Sequence, residues 1–196
     1  MSQLAPVVVF AYRRADKIRS CLEALEKNVE AERTAVFLYA DGAKSEKDRA
    51  DVEKTREFIG QYAAGHKFES FTVNCRESNM GLANSIITGV TEIMERYGKA
   101  IVVEDDLITS PDFLLYMNDA LAYYENRKEV GEISAFTHPL KSLKTYEHDV
   151  YLTRKAECWG WATWKDRWRL ADWEMRSYAA FRRGRQDREF EKLQKG

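Results

Sequence analysis

The chain has 196 residues, is 44% hydrophobic and 12% aromatic, and carries 31 Lys and Arg against 32 Asp and Glu for a net charge of -1. That length and apolar content support a core of ordinary size, which excludes a disordered tail, and the balanced charge supplies no global field for nucleic acid or an anionic membrane. No stretch approaches the ~20 apolar residues of a membrane span.

Strand and helix patterns alternate through the first two-thirds. VVVFAY (7–12) is a continuous apolar run, the pattern of a strand covered on both faces. ADKIRSCLEALEKN then places Ile18, Cys21, Leu22 and Leu25 on one helical face. TAVFLYA (34–40) predicts a second buried strand, followed at once by DG. SEKDRADVEKTREFIGQYAAG predicts a charged amphipathic helix with Ser45 as its N-cap. FESFTVNC (68–75) reads as a third strand. GLANSIITGVTEIMERYG carries an apolar helical stripe of Leu82, Ile86, Ile87, Val90, Ile93, Met94 and Tyr97. KAIVVE (99–104) is the fourth strand. SPDFLLYMNDALAYYEN predicts a helix capped by Ser110, with Pro111 at its first position. Beyond residue 130 the rhythm weakens. GEISAF (131–136) and DVYLTR (149–154) predict short strands at or near an edge, and CWGWATWKDRW (158–168) is too rich in Trp for an ordinary linker. REFEKLQKG offers no evident closing element, so the chain is expected to be part of a longer protein.

This alternation predicts an α/β fold, a mostly parallel sheet with helices on both faces. Ligands of such sheets bind outside the carboxyl ends of the strands. That rule brings four polar stretches to one rim: YRRAD after the first strand, DG after the second, CRESNMG after the third and EDD after the fourth.

The acids Glu104, Asp105 and Asp106 stand out, because like charges repel and these directly follow a buried strand. Such a cluster suits a hard divalent cation held by oxygen ligands and shared with a diphosphate. Its plain alternative is a set of solvated acids near a helix start. Successive strand residues face opposite ways, so the acids cannot all do one job. Arg13 and Arg14 offer a guanidinium to a phosphate or a base, or simply face water. Asp41-Gly42 is a turn dipeptide whose carboxylate, at the rim, can accept a bond from a base or ribose. In Asn79-Met80-Gly81 the glycine allows positive φ and close approach to the backbone. Trp159, Trp161 and Trp164 either present aromatic faces to a sugar ring or staple the core.

Cys21, Cys75 and Cys158 are far apart and form no CxxC pair, which fits free thiols in a reducing cytoplasm. His66, His138 and His148 show no zinc-ligand spacing to them. The start, MSQLAPVVVFAYRR, has no basic region before its short apolar run and does not read as a signal peptide.

VVVFAYRRADKIRSCLEAL, YADG, NMGLANSI, VVEDDLITSPDFLLYMNDAL and CWGWATW, taken in this order, resemble the nucleotide-sugar-dependent glycosyltransferases of the GT-A fold. The likeness is nearest to bacterial family 2 sugar transferases, and there is a second likeness to the inverting N-acetylglucosaminyltransferases that modify mannose. The resemblance implies a three-layer, Rossmann-like domain over residues 1–196, with the nucleotide bound by 1–110 and the acceptor faced by 111–196. It implies a UDP-sugar donor with Mn²⁺ or Mg²⁺, a saccharide or glycoconjugate acceptor, and a place in the building of polysaccharide, with peripheral contact at a membrane permitted. Asp106 matches the metal ligand. Glu104 and Asp105 match residues beside the ribose and diphosphate. Ala11, Tyr12, Arg14, Asp41, Asn79 and Gly81 complete the expected donor site. Asp172 is the best match to a catalytic base and Asp166 is its rival. On the residues alone two other readings stay open: a sugar nucleotidyltransferase, against which the glycine-free FAYRRAD counts, and a non-catalytic domain that binds nucleotide or carbohydrate.

Overall fold

Val7, Val8 and Val9 are all fully buried, as a strand covered on both faces requires. In the computed structural model, which describes residues 3–183, they lie in the middle of a six-stranded sheet ordered β3-β2-β1-β4-β6-β5. The strands are β1 (Val7–Ala11), β2 (Ala35–Ala40), β3 (Ser70–Cys75), β4 (Lys99–Glu104), β5 (Ile133–Ser134) and β6 (Trp161–Trp164). β1 to β4 pair in parallel, and β6 runs antiparallel between β4 and β5. The expected mostly parallel sheet is present.

The pleat divides the core. Val7, Val9, Leu38, Ile101 and Val103 face one way, onto α1 (Ala15–Leu25), α2 (Arg49–Tyr62) and α4 (Phe113–Tyr124). Val8, Phe10, Phe37, Tyr39 and Val102 face the other, onto α3 (Leu82–Tyr97) and Trp168 of α5 (Lys165–Trp168). The predicted face of α1 holds: Ile18, Cys21, Leu22 and Leu25 are all buried.

Several local expectations need correcting. Ser45 does not cap a helix; its hydroxyl bonds Asp48 at 2.8 Å, across a 3-10 turn that precedes α2. The helix expected from Ser110 starts at Phe113 instead. There Asn28, from the loop after α1, bonds the Leu114 N–H at 2.9 Å and takes over the capping role from a distance. In α3 the predicted stripe is buried only at Val90, Ile93 and Met94, while Leu82 is exposed. The segment 149–154 forms no strand, and its Val150 and Leu152 face solvent. The strand lies instead at Trp161–Trp164, where every residue is buried and the free edge of β4 supplies the partner. The expected lack of a closing element at 188–196 concerns residues outside those described. Among the described residues no helix is long and apolar enough to cross a membrane.

A buried asparagine joins three elements of this framework. Asn118 on α4 accepts from the Ala5 N–H at 2.8 Å and donates to Glu30 and the Leu114 carbonyl, both at 2.9 Å. It ties the entry to β1 and the loop after α1 to α4.

Candidate active site

The carboxyl ends of the parallel strands open into a cleft of about 430 Å³. Ala11, Tyr12 and Arg14 reach it from β1, Asp41 from β2, Asn79 and Gly81 from the loop after β3, and Glu104 and Asp105 from β4. All the residues expected at the donor site, apart from the metal ligand, therefore line one cavity. Phe10, Arg13, Lys44, Leu82 and Ser85 line it as well. Lys44 and Ser85 were missed. Lys44 follows the DG turn, where a cation at the rim was there to be noticed. Ser85 lies in the first turn of α3, hidden among the apolar residues of the predicted stripe.

Asp41 does more than face the cleft. Its Oδ1 accepts from the Gly42 N–H at 3.0 Å and the Met80 N–H at 2.9 Å. Its Oδ2 accepts from Met80 and Gly81, each at 3.1 Å. The carboxylate thus binds the loop after β2 to the loop after β3. Asn79 answers from the other side, donating to the Gly42 carbonyl at 2.8 Å. A Cβ on Gly42 would lie 2.5 Å from the Ser78 carbonyl carbon, so only glycine lets the two backbones close. Gly81 takes a φ of 75°, a conformation other residues adopt only with strain, and starts α3.

The acids divide as the pleat demands. Asp105 is 3% exposed and points inward. Arg14 grips it through Nη2 and, at 3.4 Å, through Nε, while Nη1 bonds Asp106 at 3.0 Å. Burial pushes the Asp105 carboxyl above its ordinary range, and the bond to Arg14 offsets part of that. Glu104 is half-buried in the cleft wall. Burial, followed by the charges of Asp106 and Asp105, raises its pKa, and no described side chain hydrogen-bonds its carboxylate. Behind the acids, burial pushes the Cys21 thiol up to about 12, so it is an inert core group. Asp106 stands at the surface, its side chain 40% exposed, and outside the cavity wall.

Among the described residues no three or more His, Cys, Asp or Glu converge as a ready-made cage for a metal ion. The acids suit a different arrangement, in which one or two hard carboxylates hold a cation and substrate phosphates complete its shell. The unpartnered carboxylate of Glu104 beside Asp105 is the feature of this structure that fits it.

The model of the GNT-I family matches residues 1–170. This chain belongs to the GNT-I family. Its members are glycosyltransferases, so the GT-A glycosyltransferase likeness drawn from the sequence is met. Comparison with curated proteins gives no match. Among solved structures, S. aureus TarS 1-349 is similar at 16% identity and a TM-score of 0.44, over 63% of this chain and 33% of that one. The longer S. aureus TarS gives the same identity and score over 20% of its length. The apo WbbM bifunctional glycosyltransferase is 11% identical, with a TM-score of 0.33, over 59% of this chain and 21% of that one. The chain thus spans a fifth to a third of the length of these structures.

The structure of this GNT-I family member does not bring the two base candidates into the cleft. Asp166 follows β6, whose end at Trp164 pairs with Lys99, at the opposite end of β4 from Glu104. Lys128 at 2.8 Å and Arg167 at 2.9 Å bind it and hold its pKa down to about 2. Asp172 lies past Trp168, and its Oδ2 accepts from the N–H and hydroxyl of Ser177, both at 2.7 Å. Those bonds keep its carboxyl below the usual range.

The tryptophans also divide. Trp161 and Trp164 are buried in β6, and Trp164 donates to the Leu121 carbonyl at 3.2 Å, a core role. Trp159 is 50% exposed, packed edge-on against Phe136 with ring centres 4.6 Å apart. Since Val102 pairs with Trp161, two more residues along each strand bring Glu104 and Trp159 to the same rim. Nearby, Glu157 pairs with His138 at 2.9 Å and Lys155 at 3.2 Å.

The Glu157 N–H bonds Glu132 at 3.0 Å, and burial lifts the Glu132 carboxyl from 4.5 to about 7. Between these two values the unfolded chain ionises while the folded one resists, so this residue lowers stability as pH rises and the loss is complete above pH 7. Solvent reaches the group and screens part of the effect. Glu132→Gln is therefore expected to stabilise the protein at pH 8 by about 1–2 kcal/mol and to do little at pH 4. Urea unfolding at the two pH values checks it, and an equal change at both would contradict the assignment.

Proposed function

We propose that this protein transfers a sugar from a nucleotide-diphosphate donor, a UDP-sugar, to a hydroxyl of a saccharide or glycoconjugate, with inversion and with help from Mn²⁺ or Mg²⁺. The observation that carries this is the single cleft in which an acid cluster, an arginine and the glycine loop at the start of α3 meet, in a chain of the GNT-I family.

Residues 1–110 would hold the donor. The interlocked Asp41 and Asn79–Gly81 loops shape the wall against which a base and ribose lie. Tyr12, whose hydroxyl accepts from the Lys44 N–H at 3.0 Å, fixes the neighbouring strand end. Lys44 and Arg14 supply positive charge to the diphosphate. Asp106, with Glu104 or Asp105, would hold the cation, which as a Lewis acid stabilises the departing diphosphate. Residues 111–196 would face the acceptor, with Trp159 at the rim between the halves.

A base must then take the proton of the attacking hydroxyl. Asp166 is unsuited, because both its oxygens are held by cations at the far end of β4. Asp172 is exposed, and its carboxylate accepts from the Ser177 N–H and hydroxyl with the charge of Arg176 nearby. We assign it the base of a single displacement, which inverts the anomeric centre. Retention in an NMR assignment of the product would overturn that step. The free thiols of Cys21, Cys75 and Cys158 fit action in a reducing compartment such as the cytoplasm.

The deciding experiment is calorimetric binding of UDP and UDP-sugars, with and without Mn²⁺, to the wild type and Asp106→Ala. Metal-dependent binding that falls at least about 100-fold in the variant is expected, since loss of an outer-shell partner alone costs about 10–100-fold and Asp106 is proposed as a direct ligand. Absence of binding to UDP or another nucleotide in the presence of metal would overturn the proposal.

A further inference from the structure

Arg14 occupies the place that a cation needs. Its guanidinium takes Asp105 through two nitrogens and Asp106 through a third. Asp105 is buried and cannot swing away, so the arginine neutralises it from a fixed position. Arg14 itself is half-exposed, 47% for its side chain, and free to leave on the solvent side. It sits at the N-cap of α1, three residues after β1 ends, so its backbone is anchored while its side chain can turn.

A divalent cation reaching for the Asp106 and Asp105 oxygens meets a positive charge already bonded to them. Like charges within a few ångströms repel strongly in a partly dry site. A cation that takes Asp105 and the Asp106 oxygen held by Arg14 binds only if Arg14 moves, and Arg14 moves cheaply only if another anion receives it. A nucleoside diphosphate brings such an anion into the same cleft. We propose that Arg14 is an internal counter-ion that keeps the acid cluster closed to metal until a nucleoside diphosphate arrives, so that cation and nucleotide bind as one unit. This rests on the reading of the cleft as a nucleotide-sugar site. Arg14 acts here through the carboxylates, as a positioning residue, and its removal should give a gain: metal binding without nucleotide.

The test is a thermodynamic cycle of Mn²⁺ and UDP, measured by calorimetry and by the electron paramagnetic resonance of free Mn²⁺, on the wild type, Arg14→Met and Arg14→Lys. In the wild type, UDP is expected to tighten Mn²⁺ by about 100-fold or more, and Mn²⁺ to tighten UDP equally, since coupling is reciprocal. In Arg14→Met, Mn²⁺ alone should bind about tenfold tighter or better, the size of change expected at a metal's outer shell. Mn²⁺ alone should also raise the melting temperature of Arg14→Met and leave that of the wild type unmoved. Arg14→Lys keeps the charge without the fork and should fall between them. If Arg14→Met does not fold, the wild-type cycle and Arg14→Lys decide. Wild type that binds Mn²⁺ alone as tightly as with UDP would overturn the proposal, as would variants whose affinity for Mn²⁺ alone is unchanged. The failures of the two readings are distinguishable. Metal-dependent UDP binding with no gain in the variants sinks the counter-ion and leaves the transferase. A gain in metal affinity with no UDP binding to any of the proteins leaves Arg14 as a counter-ion of the acids, but overturns both its release by nucleotide and the donor-site reading.

Discussion

Asp41→Ala is expected to cost about 3–4 kcal/mol of stability and to abolish measurable UDP binding. The carboxylate takes four hydrogen bonds from the backbone N–H groups of Gly42, Met80 and Gly81. Bonds to a charged group contribute about 1.5–3 kcal/mol each and are not additive when they share an acceptor, so the total falls below their sum. Alanine leaves those donors facing one another across a gap too small for rearrangement, because Gly42 already lies against Ser78. For a domain of this size the melting temperature should drop by about 10 °C. Asp41→Asn keeps one acceptor oxygen and should lose about half as much. Urea midpoints give the stability and UDP calorimetry the binding. An unchanged midpoint would mean that the two loops are held by something else.

Asn118→Leu should be comparably damaging, by about 3 kcal/mol, yet silent in the cleft. Leucine matches the volume and leaves no cavity. It strands the Ala5 N–H and, more seriously, the Glu30 carboxylate, which is 9% exposed. A buried donor without a partner costs about 1–3 kcal/mol and a buried charge more, while the ion pair of Glu30 with Arg33 at 3.6 Å softens the loss. UDP affinity, measured well below the melting point, should stay at the wild-type value. A loss of affinity would mean that the contact between α4 and the β1 entry is transmitted to the rim.

These two side chains also mark where a sequence stops being readable. β1 to β4 and α1 to α3 could be read because each is periodic within itself: buried strands are apolar throughout, and helices repeat every three or four residues. The donor residues could be read because strand ends in a parallel sheet fall at one rim. The partners of Asp41 lie 39 and 40 residues away and those of Asn118 lie 88 and 113 away, and no local pattern announces them. The same applies to β6. WATW looked like a staple or a sugar platform, and only the vacant edge of β4 makes it a strand. DVYLTR reads as a short strand by itself, yet Val150 and Leu152 stay in solvent and pair with nothing in the sheet. The base candidates were the least legible. Whether Asp172 or Asp166 nears the rim depends on the path of the chain after β6, which is set by packing of Trp168 against Trp161 and Thr91.

The antiparallel seat of β6 has a consequence for how the chain is made. On the ribosome β4 emerges with Ala100, Ile101 and Val102 along an edge that β6 alone covers. Its partner is translated about 60 residues later, a delay of about 3–12 s at ordinary elongation rates. Throughout that interval the nascent chain carries an apolar, unpaired strand, the kind of edge that recruits strands from neighbouring chains. Yield in cells should therefore respond to chaperone supply and to synthesis rate more than the stability of the finished sheet would imply.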